Sequence, residues 1–93
     1  MTSDLDSGAL DILLPRLCAE APHGATISPI DAAKAFAAAR GEDDLAWRGH
    51  LQDVRRAAVR LALSGRLVIY RKGKPVDPAD FRGVYRLGSP SSA

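Results

Sequence analysis

LAWRGHLQDVRRAAVRLALSG, residues 45–65, followed at once by RLVIYRKGKP over 66–75, is the stretch that decides the fold. At 100° per residue, Trp47, Leu51, Val54, Ala58, Leu61 and Ala62 fall on one apolar face of a helix over about 45–64. Gly65 is its C-terminal stop. Arg48, Gln52, Arg55, Arg56 and Arg60 fan out from the edge of that face to the opposite side. Leu67-Val68-Ile69-Tyr70 is rich in strand formers, and Arg71-Lys72-Gly73-Lys74-Pro75 reads as a basic turn. Gly83-Val84-Tyr85-Arg86-Leu87 alternates like a second strand, which predicts antiparallel pairing back onto the first.

Upstream, Leu10, Leu13, Leu14 and Leu17 stand at i, i+3, i+4 and i+7, the apolar stripe of a surface helix. Asp6 or Ser7 is placed to cap its start. Pro15 interrupts the pattern by removing one backbone donor. Either the helix bends there, or it starts near Asp11 with Pro15 in its first turn. Pro22-His23-Gly24 is expected to end it. Ala25-Thr26-Ile27 is a short extended piece. Ser28-Pro29-Ile30-Asp31 then carries a cap, a preset φ and an acid at the positive helix end. An alanine-rich helix to Ala39 follows, closed by Gly41. Asp77-Pro78-Ala79-Asp80 repeats that logic and predicts one helical turn inside the hairpin connection.

The order is helix, short strand, helix, longer helix, hairpin. It predicts an α+β, mainly α chain: a winged helix-turn-helix of three helices plus a two- or three-stranded antiparallel wing sheet. A plain three-helix bundle with a disordered tail and an unrelated α+β unit are the competing architectures. The hairpin directly after Gly65 favours the winged helix, because Val84, Tyr85 and Leu87 need a partner strand. The expected domain spans residues 7–88, between flexible tails at 1–6 and 89–93. Its expected core is Leu10, Leu13, Leu14, Leu17, Ile27, Phe36, Trp47, Leu51, Val54, Ala58, Leu61, Val68 and Leu87. Phe81 is expected to pin the wing to the body.

Ser28-Pro29-x-Asp31-x-Ala33, Trp47, Val54-Arg55-x-Ala57-Ala58 up to Gly65, Lys72-Gly73-Lys74-Pro75-Val76-Asp77-Pro78 and Gly83-x-Tyr85-Arg86-Leu87 together resemble a small bacterial family catalogued as domain of unknown function 3253. The resemblance spans roughly Leu10 to Leu87. It implies a winged-helix-like fold and supplies no established activity, so no functional residue carries over.

Charge is divided along the chain. Residues 1–44 hold three bases against eight acids, a net of −5, and residues 45–93 hold ten bases against three acids, a net of +7. That asymmetry points to a polyanionic partner. No catalytic constellation is legible: Cys18, His23 and His50 match no metal or nucleophile spacing, and Glu42-Asp43-Asp44 already suits a helix start. The expectation is therefore no enzyme, no cofactor and no metal. A lone cysteine excludes an internal disulfide. No apolar run is long enough to span a bilayer, and the acidic N-terminus is unlike a secretion signal. A cytoplasmic protein of bacterial type is expected, with no membrane partner.

Arg48, Gln52, Arg55, Arg56 and Arg60 on the long helix, with Arg71, Lys72 and Lys74 on the wing, are the candidate binding residues for double-stranded DNA. Arg and Gln are the side chains that read guanine and adenine edges, and wing cations hold phosphates. Arg82 and Arg86 lie nearby in sequence. The competing reading is an adaptor that turns the same basic face to an acidic protein surface. Some of these charges can pair internally, with Asp53 or with the acidic N-terminal half. A single short domain offers no obvious dimerisation helix.

Overall fold

The computed structural model describes residues 2–22 and 25–90, with side chains from Gly8 onward. His23 and Gly24 of the expected helix-ending turn lie outside the described residues. So do Met1 and the last three residues of the C-terminal tail.

The first helix, α1, runs Thr2–Glu20 with Pro15 inside it. It begins well before the caps offered by Asp6 and Ser7; residues 2–7 contain neither glycine nor proline to stop it. Leu10, Leu14 and Cys18, spaced four apart, are buried, with Leu13 and Leu17 packed at their flanks. The second helix, α2 (Pro29–Ala39), starts at the predicted cap. Ser28 Oγ accepts from the Asp31 N–H at 2.9 Å, and Asp31 Oδ2 accepts from the Ser28 N–H at 3.5 Å. This reciprocal pairing satisfies two donors that the first helical turn leaves open. Buried Ala32, Ala33 and Ala37 keep this helix thin beside Phe36.

The expected single helix over 45–64 is divided. Ala46–His50 is a 3₁₀ turn, and the third helix, α3, runs Leu51–Leu63. Gly49 is a poor helix former, and His50 is drawn back towards α2. Its ring meets Phe36 edge-on at 4.8 Å and bonds Glu42 at 2.5 Å. A 3₁₀ turn winds three residues per turn rather than 3.6, so Arg48 leaves the stripe that continues along α3. Val54, Ala57, Ala58 and Leu61 are the buried face of α3. At its end the Arg66 N–H donates to the Leu61 carbonyl at 2.8 Å, and that of Gly65 to Ala62 at 3.1 Å. Gly65 has φ +79, a conformation glycine adopts without Cβ strain.

Three strands follow: β1 (Val68–Arg71), β2 (Lys74–Pro75) and β3 (Arg86–Gly88), in antiparallel order β2-β1-β3. β1 and β2 are joined by Lys72 and Gly73, at φ 52 and φ 80. Two successive positive φ values make the two-residue turn whose twist matches a hairpin. Val68, Ile69 and Tyr70 pair with Gly88, Leu87 and Arg86. Ile27 adds a bridge on the other side of β3, exchanging two 2.8 Å bonds with Leu87. The short extended piece before α2 thus ties the helices to the wing.

Three helices and a three-stranded antiparallel sheet give an α+β chain, mainly α, with a wing. Three details of the wing and its connection differ from expectation. Val68 is only half-buried, whereas Leu67 and Ile69 are buried. Alternate strand residues face opposite sides, and pairing with β3 turns the odd-numbered set inward. Val84 is 84% exposed, because its carbonyl accepts from the Arg71 side chain at 3.1 Å and β3 begins only at Arg86. The turn at 77–80 is hydrogen-bonded, not helical: the Asp80 N–H reaches the Asp77 carbonyl at 3.0 Å, and Asp77 Oδ1 accepts from the Ala79 N–H. Among the described residues no helix is long and apolar enough to cross a membrane.

Candidate nucleic-acid interface

The eight cationic and polar residues on the 3₁₀ turn, α3 and the wing divide by what each side chain already holds. Val54, Ala57, Ala58 and Leu61 bury one side of α3 against α1, α2 and β1. Gln52 and Arg56, four residues apart, are left exposed on the other side. Arg56 Nη1 stands 3.7 Å from Asp53 on the same helix, a loose exposed pair. Arg48, on the 3₁₀ turn, is exposed with its guanidinium 5.6 Å from the centre of the Trp47 ring.

Arg55 and Arg60 leave α3 on opposite flanks, and each is bound to another element. Arg55 Nη2 donates to the Phe81 carbonyl at 3.0 Å, and its guanidinium lies 4.1 Å from the Phe81 ring centre and 5.7 Å from that of Tyr85. The rings themselves meet edge-on at 5.2 Å. Phe81 does pin the wing to the body, and Arg55 is what it is pinned by. Burial raises the Tyr85 hydroxyl above its ordinary value, and the Arg55 charge partly opposes that shift. Arg60 Nη2 donates to Asp11 Oδ1 of α1 at 2.9 Å. The acidic N-terminal half thus neutralises one of the basic residues, as the division of charge allowed.

On the wing, Lys72 and Lys74 are exposed at the β1–β2 turn, and their side chains make no hydrogen bond or ion pair among the described residues. Arg71, by contrast, is held to the Val84 carbonyl. Arg86 is likewise engaged, with Nε donating to Thr26 Oγ1 at 2.6 Å and Nη2 to the Thr26 carbonyl at 2.9 Å. Arg66 and Arg82 are exposed and without such partners among the described residues. Arg66 escaped the sequence reading; its position just after the Gly65 helix stop was the available sign that it is solvent-facing.

Arg48, Gln52, Arg56, Lys72 and Lys74 remain available to a partner in solution. Arg55, Arg60 and Arg71 are committed to the fold. The available set offers point charges and one amide, and no nucleophile with a base beside it. Among the described residues no group of three or more His, Cys, Asp or Glu side chains is gathered to hold a metal. The family described as Protein of unknown function (DUF3253) matches residues 8–90. The chain belongs to that family. The matched span takes in the Leu10–Cys18 stripe of α1, the capping box and the whole wing. No curated protein matches the chain.

Proposed function

We propose that this domain is a winged helix-turn-helix that binds double-stranded DNA, as a small transcriptional regulator, with α3 towards the major groove and the wing turn on the backbone. What carries the reading is a separation of roles among its cations. Those on the flanks of α3 and at the base of the wing are held by internal partners. Those on the open side of α3 and at the wing tip carry at most one loose exposed pair, Arg56 with Asp53. Arg56 and Gln52 are the side-chain types that recognise guanine and adenine edges. Lys72 and Lys74 suit phosphate oxygens, which position a protein without reading sequence. The role is one of binding rather than catalysis, and it needs no cofactor.

The test is fluorescence anisotropy of a labelled mixed-sequence duplex at low and moderate salt. Binding through about four phosphates weakens by about a hundredfold between 50 and 200 mM salt. Lys72→Ala with Lys74→Ala, which touches no internal contact, lowers that dependence. No binding at low salt overturns the reading and turns attention to the adaptor alternative, in which an acidic protein meets the same face.

A further inference from the structure

We propose that Lys34 and Arg48, gathered on the Trp47 indole, form a phosphate clamp that extends the DNA contact onto α2; this rests on the DNA-binding reading above. Lys34 Nζ lies 5.3 Å from the centre of the Trp47 ring, and the Arg48 guanidinium 5.6 Å from the same centre. The two cations come from different elements, α2 and the 3₁₀ turn, so their meeting is a product of the tertiary fold. Both are exposed, and neither side chain makes an ion pair or hydrogen bond among the described residues.

Three of the neighbouring acids have partners of their own, and Asp44 is exposed to solvent. Asp31, one turn before Lys34, is committed to the cap of α2. Glu42 holds His50 and Arg40, and Asp43 accepts from the Leu45 N–H. Each cation stands beside the same ring, and one anionic backbone that meets both gains two attractions. The negative face of the indole meanwhile holds the cationic heads against the domain. Ordering them before the partner arrives lowers the cost of binding. The Glu42–His50 and Phe36–His50 contacts anchor the 3₁₀ turn that carries Trp47 and Arg48. A phosphodiester backbone fits this clamp because it presents successive singly charged anions and requires no apolar contact.

Trp47 is the sole tryptophan, so its emission reports on the clamp directly. The experiment titrates wild type, Lys34→Ala and Arg48→Ala with a labelled duplex, following DNA anisotropy and Trp47 fluorescence together. Circular dichroism and thermal melting verify that each variant folds. The clamp predicts that duplex binding changes Trp47 emission. It also predicts that Lys34→Ala weakens binding several-fold and lowers the slope of log affinity against log salt by about 1. If wild type binds the duplex while Trp47 emission is unmoved and Lys34→Ala keeps the wild-type affinity and slope, the clamp is wrong and the DNA reading survives. If wild type gives no anisotropy change at low salt, the DNA reading fails and the clamp fails with it.

Discussion

The Arg55 guanidinium lies 4.1 Å from the centre of the Phe81 ring and donates to the carbonyl of the same residue at 3.0 Å, across 26 positions of sequence. One side chain therefore supplies both a cation–π contact and a hydrogen bond between α3 and the segment leading into β3. Arg55→Ala is expected to destabilise the domain by about 1–3 kcal/mol, read from urea unfolding. Arg55→Lys should recover only part of this, since an ammonium lacks the planar fork. The Tyr85 hydroxyl should also titrate higher in Arg55→Ala, because a nearby positive charge that favours its ionised form is gone.

Asp11→Asn has opposite consequences for stability and for binding. The Asp11–Arg60 pair is partly exposed, with side chains 36% and 46% accessible. Its loss is expected to cost less than about 1 kcal/mol in a thermal melt. Arg60 is then released from α1, and duplex affinity in low salt should rise with a salt slope steeper by about 1. A variant whose affinity is unchanged would mean that Arg60 does not reach the DNA even when free.

Acid should weaken the joint between α2 and the 3₁₀ turn. The hydrogen bond from His50 first, and that from Arg40 second, hold the Glu42 carboxyl below its ordinary value of 4.5. A carboxyl whose folded value is depressed stabilises the fold above its unfolded value and loses that contribution as pH falls through the folded one. Unfolding stability should therefore decline as pH drops below about 4.5, and Glu42→Gln should flatten that part of the profile. An unaltered profile in Glu42→Gln would assign the acid sensitivity to other carboxylates.

Cys18 should be chemically silent in the native protein. Burial pushes its thiol up to about 11, and the thiolate is the reactive form. A thiol-specific reagent at mildly alkaline pH is expected to label it only after denaturation. Rapid labelling of the native protein would show that α1 opens readily from the core.

How much was legible follows from the range of the interactions. The Ser28 cap and the stop at Gly65 each close within five residues and stand as read, whereas the return bond from Asp31 to the Ser28 N–H came only with the structure. The leucine stripe of α1 obeys the helical period and lies on the core. Pairing of β1 with β3 was legible from alternation, but its register was not. Whether Val68 or its neighbours turn inward depends on which face of the β1–β3 pair is laid on the core, and only packing against the helices decides that. The 3₁₀ turn was hidden as well, because the contacts of His50 with Phe36 and Glu42 come from residues eight or more positions away.

The candidate surface shows the same limit. The chain's own residue order determined that its second half is basic, that a long helix and a hairpin carry those charges, and that the first half holds acids able to answer them. Helical periodicity places a residue on a face, and composition sets its charge; neither needs the rest of the molecule. Which charges stay available was decided only by the tertiary structure. Arg55, Arg60 and Arg71 find partners 26, 49 and 13 positions away, and Lys34 joins Arg48 on one indole ring. An arginine's role is set by what stands within hydrogen-bond reach of its guanidinium. For these residues that neighbour is brought in by packing between elements.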